Sequence, residues 1–352
     1  MTKDFSSFTR SLVLRARSSV SSIVSVAVAF GIGAIVIALL QKNPLSAYYA
    51  LFSSALGTSY GLGQTINLGG VLLIAGLSAV VAYKSGIYTC GIDGQLILGA
   101  LASMAIVLQF QHFGFVASVL AIIGAMAAGA LFALIPALLK AKLSTNEIVT
   151  TLLMNYIALL IVNYAVTGPM RNPGASYPTT YLVPLASRLP TVPLSTINIC
   201  ILIAVILSVA TLFLVVKTKL GFEMRIMGSN LKAARYAGIN IPRRTILIFL
   251  ISGMLAGLAG SMLALGISYS AYSGIDENFG FLGIGIAMVA QLNPLAVVPT
   301  ALFVSVLHVG ADGMQAATGV PSTIAEVIVG LMIMVILIRP VFDKFVNKRS
   351  AA

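Results

Sequence analysis

Residues 217–244 read KTKLGFEMRIMGSNLKAARYAGINIPRR, a basic, polar run set between two long apolar segments. The run holds seven of the chain's 21 Lys and Arg residues. Positive charge beside apolar spans is retained on the cytoplasmic side, so the run reads as an inner loop of a membrane protein. Its signals are too ordered for a plain linker. Ser229 or Asn230 can cap a short helix. Gly238 can end that helix in a left-handed turn, and Pro242 keeps it from continuing. A capped helix built into an inner loop points to something docking there.

Composition agrees with a membrane setting. Of 352 residues, 59% are hydrophobic and 9% charged, and the mean hydropathy is +1.04. One soluble core cannot hide that much apolar surface. The net charge of +12 does not indicate nucleic-acid binding, because the charges fall between apolar runs and build no continuous basic face. With twelve Tyr and no Trp, any interfacial belt relies on Tyr. Cys90 and Cys200 lie in or beside apolar segments and read as buried free thiols, too few and too far apart for a metal site.

About ten apolar segments can be marked, near 20–40, 64–83, 91–110, 115–139, 147–168, 196–216, 244–266, 279–291, 294–310 and 322–338. The expected fold is an all-α, polytopic helical membrane protein. Residues 1–19 form a cytoplasmic tail, 20–338 the transmembrane domain with the loop 217–244, and 339–352 a second cytoplasmic tail. The first apolar run follows Arg10, Arg15 and Arg17 like a signal peptide, yet it is long enough to span and reads as an uncleaved helix. The eighth segment is short, carries Gly280, Gly283 and Gly285, and stops at Asn293-Pro294. Such broken spans are tolerated beside protein or a water-filled cavity and often border transport sites. Counting it as a crossing puts both termini inside. Then 18 of the 21 Lys and Arg lie on the inner side, leaving Lys42, Arg171 and Arg188 outside. The longest outer loop, 168–194, holds six prolines and is expected to be extended.

Several chemistries are missing from the sequence. It has no GxxxxGK[ST] phosphate loop, no Cys/His cluster, no paired carboxylates within a span and no channel filter. Glu326 reads as a helix-start residue near the outer end of the last span, and His308 as a packed histidine. The chain can therefore form a pathway while lacking an energy source of its own, which disfavours an ion-driven pump.

Further motifs lie outside the loop. Residues 86–95 read GIYTCGIDGQ. Asp93 sits where a helix begins, and Gly91 and Gly94 permit a tight turn. Ser144-Thr145-Asn146-Glu147 fits a capping box. Gly253, Ala256, Gly257 and Gly260 form a small-residue ridge suited to close helix packing. Together with Asn146–Ile157, the loop blocks at Gly221–Arg225 and Ala233–Ile239, and Gln291-Leu292-Asn293-Pro294, these residues resemble the permease subunits of bacterial ABC importers. The resembling group is the nucleoside and simple-sugar permeases, related to ribose and branched-chain amino acid permeases. The turn that commonly reads Asn-Ile-Gly-x-Glu-Gly-Gln has Thr89, Cys90 and Asp93 at three of its positions.

The resemblance implies a multi-pass protein of the bacterial plasma membrane that is not itself an enzyme. Ala233, Ala234 and Gly238 would form the helix that sits in a groove of an ABC ATPase subunit, with Glu223, Arg225, Lys232 and Arg235 flanking it. ATP and Mg would be held by the ATPase, and no cofactor by this chain. A second homologous permease and an extracytoplasmic substrate-binding lipoprotein would complete the complex. Length and the extra first span favour nucleosides as cargo. A simple sugar such as ribose, or a branched-chain amino acid, is the alternative within the group. An ion-coupled secondary transporter and a scaffold without transport are alternatives beyond it. Polar groups inside the bilayer usually face the bundle interior, which nominates Asn67, Gln95, Asn155, Asn163, Gln291 and Asn293 as path residues. Hydrogen bonding between helices would explain the same residues.

Overall fold

The structure, a computed structural model, describes residues 27–192, 196–275, 277–331 and 333–334. These residues are helical, with two isolated bridges and no strand. In order, the helices are α1 (Ala27–Leu39), α2 (Pro44–Leu56), α3 (Ser59–Lys84), α4 (Ile92–Gln109), α5 (Phe115–Leu143), α6 (Glu147–Thr167) and α7 (Cys200–Lys217). Then follow α8 (Lys219–Ser229), α9 (Leu231–Tyr236), α10 (Ile241–Leu263), α11 (Phe279–Val289), α12 (Pro294–Thr318) and α13 (residues 323–331). The tails 1–19 and 339–352 lie outside the described residues.

Among the described residues, seven helices are long and apolar enough to cross a membrane, or eight if a bent pair counts as one span. Seven of the ten expected segments are such helices, and the first, the eighth and the last are not among them. Where one first span was expected, α1 is followed by α2 at a bend of 118°. Asn43 caps α2 by accepting from the Leu45 amide at 2.9 Å, and Pro44 opens it. Helix α11 has 11 residues, which at ~1.5 Å each reach about half of a ~30 Å hydrocarbon core. The last segment is described only in part, through α13, with Glu326 exposed near its start.

The chain divides into two compact units, Thr58–Val306 and a smaller one of residues up to Gly57 with those from Leu307 on. In the smaller unit the Tyr48 hydroxyl donates to the Phe30 carbonyl at 2.6 Å, joining α1 to α2.

In the larger unit α3 is the central helix, buried along almost its whole length. Glycines let α7, α11 and α12 approach it closely. Gly70 faces Cys200 of α7, and Gly76 faces Val297 of α12 and Gly283 of α11. Lipid gives apolar helices no reason to associate, so contact depends on this close fit. The ridge on α10 behaves as expected. Gly253 and Gly257 lie on the backbone of Gly129 and Ala125 in α5, Gly257 also meets Gly99 of α4, and Gly260 backs onto Leu96.

Helix α10 ends in a π turn, Ala264–Ser268, and the chain then turns left-handed at Tyr269. The outer loop is not extended throughout as expected, since among its described residues it turns at Asn172–Ala175 and forms a 3-10 helix at Leu185–Ser187, and it is no free surface connector. Its Val183 and Leu189 amides donate to the Tyr269 and Leu265 carbonyls at 2.8 and 3.2 Å, and Arg188 lies over the Tyr269 ring. The loop thereby satisfies backbone groups that the broken helix frees.

Candidate functional site

Two constructions stand out. The first is the turn before α4. The Asp93 carboxylate, in the first turn of α4, accepts from the Gly280 amide at the start of α11 at 2.8 Å. One buried acid thus serves the positive ends of two helices. Side chains of α6 hold the other side of the turn. The Thr151 hydroxyl accepts from the Cys90 amide at 3.0 Å, and Asn155 accepts from the Gly94 amide and donates to the Cys90 carbonyl, both at 2.9 Å. The capping box expected at 144–147 takes another form. Ser144 is a left-handed end to α5, Asn146 caps α6, and Glu147 pairs with Lys140 at 2.6 Å.

The second construction is the basic loop, which holds two helices where one was expected. Thr218 caps α8, accepting from the Gly221 amide at 3.0 Å. Asn230 caps α9, accepting from the amides of Lys232 and Ala233. Gly238 has φ +74°, the left-handed turn expected of it, and Pro242 lies in the first turn of α10. Helix α8 rests on the turn after α3, where Gly228 meets the Lys84 carbonyl and Gly86. A cavity of about 500 Å³ opens beside α9, lined in part by Lys140, Leu231, Arg235, Asn240 and Thr245.

The loop residues nominated from sequence divide into two sets. Lys232, Ala233, Arg235 and Gly238 are exposed. Ala234 is not, being fully buried, so its small side chain fits the chain's own interior and offers no contact surface. Glu223 and Arg225 also act inward. Arg244 grips both oxygens of Glu223, which locks α8 to the start of α10. Arg225 donates to the Val215 carbonyl at 2.8 Å and closes the end of α7. Sequence reasoning missed Tyr236, which is 93% exposed at the end of α9.

The nominated path residues are not brought together. Asn67 accepts from the Asn198 amide and donates to the Thr196 carbonyl, at 2.8 and 2.9 Å. Asn155 is spent on the turn before α4. Asn293 caps α12 through the Leu295 amide. Gln291 is exposed in a left-handed turn. Gln95 is buried with its Oε1 lacking a hydrogen-bond partner among the described residues, and Asn163 is half-buried on α6. Among the described residues no cluster of His, Cys, Asp or Glu is suited to a metal. Both cysteines are free, Cys200 buried and Cys90 partly so, and burial pushes the Cys90 thiol pKa up.

Long apolar helices packed through glycine and joined by short polar turns define a multi-pass membrane protein. The chain belongs to the family of branched-chain amino acid transport system permease components, which it matches over residues 61–337. It is therefore a transport component. It is 32% identical to the nucleoside ABC transporter permease protein NupB of Lactococcus lactis, over 93% of each chain. It is 30% identical to the guanosine ABC transporter permease protein NupP of Bacillus subtilis, over 89% of this chain and 91% of that one. It is 31% identical to the glucose ABC transporter permease protein TsgB13 of Haloferax volcanii, over 92% of this chain and 88% of that one.

Proposed function

We propose that this chain is one of two permease subunits of an ATP-binding-cassette importer that carries nucleosides across the plasma membrane. The observation that carries this reading is likeness along nearly the whole chain to two permeases named for nucleosides or guanosine, from two organisms. The chain has no phosphate-binding loop of its own. A separate ATPase, holding ATP and Mg, supplies the work.

That ATPase docks on α9. The seven Lys and Arg of the basic loop support a cytoplasmic side for this helix, and the charge bias of the whole sequence supports the same side for both termini. The docking face comprises Lys232, Ala233, Arg235, Tyr236 and Gly238, all exposed. The cations pair with acidic groups of the ATPase, and the Tyr236 ring fills a pocket there. Outside, a substrate-binding lipoprotein delivers the cargo. Closure of the ATPase subunits rocks the spans between outward and inward states, because a ligand alone shifts that balance only by its differential affinity.

A second reading, import of a simple sugar, is favoured by the likeness to the glucose permease protein. Uptake by the assembled importer in proteoliposomes separates the two. ATP-dependent accumulation of labelled guanosine or adenosine is expected. Accumulation of glucose alone would replace the first reading with the second. Accumulation driven by an ion gradient in vesicles lacking the ATPase would remove both.

A further inference from the structure

The cavity beside α9 lies at one end of two spanning helices, wholly within the larger unit. Lys140 and Ala141, in the last turn of α5, form one wall. Ile241 and Pro242, at the start of α10, form another. Leu231 and Arg235 share one face of α9 and close a third. Its volume of about 500 Å³ is that of a small-ligand site.

The charge of the cavity has one sign. Lys140 and Arg235 line it, and among the described residues no Asp or Glu does. Glu147 neutralises Lys140. The Arg235 side chain is exposed, with no hydrogen-bond or ion partner among the described residues. Lys142 and Arg243, each next in sequence to a lining residue, are exposed and likewise have no ion partner among the described residues. The start of α10 adds a positive helix end.

Such a place suits a lipid headgroup. The ends of apolar spans lie at headgroup depth, and basic pockets between spans on the cytoplasmic side hold anionic headgroups. Ala141, Leu231, Ile241 and Pro242 give the same cavity an apolar part, which a small soluble anion would leave unused. Of the docking face proposed for the ATPase, only Arg235 lines the cavity. Lys232, Ala233, Tyr236 and Gly238 do not.

We propose that this cavity holds the phosphate headgroup of an anionic phospholipid of the inner leaflet. Arg235 meets the phosphate, since a planar guanidinium can grip two of its oxygens. The glycerol and first methylenes lie on the apolar wall. A choline headgroup would carry its own cation into the same field, so phosphatidylglycerol is preferred over phosphatidylcholine. The choice of leaflet rests on the cytoplasmic placement of the loop proposed above, whereas the phosphate chemistry does not. A lipid held here also fixes the one side chain that the cavity and the docking face share.

The test uses the full chain in nanodiscs of equal parts phosphatidylglycerol and phosphatidylcholine. Native mass spectrometry counts the lipids that stay bound after release. The unsubstituted chain is expected to keep phosphatidylglycerol in excess. Arg235→Gln should cut that excess about fivefold, the weight of one cation at an anionic surface. Ala141→Trp, which fills the cavity from a half-buried position, should abolish it. Lys219→Gln removes the same charge from an exposed residue of α8 that does not line the cavity, and should leave the excess intact. Melting curves show which variants are folded.

Equal loss from Lys219→Gln and Arg235→Gln would reduce the effect to diffuse surface charge and overturn the proposal. So would an excess that survives Ala141→Trp in a folded protein. Inorganic phosphate added to phosphatidylcholine nanodiscs separates the two sources of the anion. A rise in melting temperature from phosphate equal to that from phosphatidylglycerol would assign the cavity to a free anion. Release of the ATPase by Ala141→Trp with unchanged lipid counts would assign it to an acidic group of that partner. Failure of the importer reading shows separately, as absence of ATP-dependent uptake by the unsubstituted complex, and leaves the lipid counts as they are.

Discussion

Gly280 and Asp93 lie 187 residues apart in sequence, yet the Gly280 amide donates to the Asp93 carboxylate at 2.8 Å inside the larger unit. A methyl group at Gly280 would run into the Asp93 backbone. Gly280→Ala is therefore expected to melt well below the parent in detergent. Asp93→Asn retains an acceptor oxygen. It should cost less than Asp93→Ala, which strands a buried amide at about 1–3 kcal/mol. Equal melting of the Asn and Ala variants would show that the bond does not contribute.

Arg244 and Glu223 form the second such tie. Removing either partner leaves the other partly buried and unpaired, so Glu223→Ala and Arg244→Ala should each destabilise by about 2 kcal/mol, with non-additive effects when combined. Arg244→Lys should not restore stability, because a point cation cannot grip both oxygens. A double-mutant cycle on thermal unfolding measures this.

On α9 adjacent positions should separate stability from docking. Tyr236→Ala and Arg235→Glu should leave unfolding unchanged while weakening ATPase association by 2 kcal/mol or more, about thirtyfold, at a central aromatic. Ala234→Asp should instead lower stability, since the site is sealed. Co-purification of the ATPase with each variant, beside its melting curve, distinguishes the two classes.

Asn67→Leu should loosen the outer loop. It deletes bonds to the Asn198 amide and the Thr196 carbonyl, each worth about 0.6–2 kcal/mol between membrane segments. Limited proteolysis between residues 168 and 199 should accelerate. Unaltered cleavage would show that the other loop bonds suffice.

Burial raises the Cys90 thiol above its ordinary pKa, so the neutral form dominates at neutral pH. Maleimide labelling should be slow at pH 7 and rise with pH past the point where a free cysteine levels off. Labelling that levels off with free cysteine would mean that water reaches the thiol more freely.

Much of this was legible in local sequence. Asn230, Gly238 and Pro242 mark the ends around α9 through backbone chemistry that needs no tertiary context. Asn43-Pro44 carries the same kind of signal for α2, in the stretch between the marked segments 20–40 and 64–83. Helix α8 was hidden because its length is spent on a short polar run. The roles of Asn67 and Asn155 were not legible. The cost that drives an amide to face a pathway also drives it to bond a nearby loop, and only the folded chain decides between them. Ala234 was misjudged for a related reason, since small side chains serve close contact with a partner and with the chain's own body alike.

Gly228 rests against Lys84 and Gly86 with backbone on backbone, so no side chain there can swing aside. The peptide stretch it touches leads within a few residues to the turn held by Thr151, Asn155 and, through Asp93, by Gly280. A load applied to the α8–α9 elbow therefore meets a stiff strut, and α6 and α11 stand at its far end.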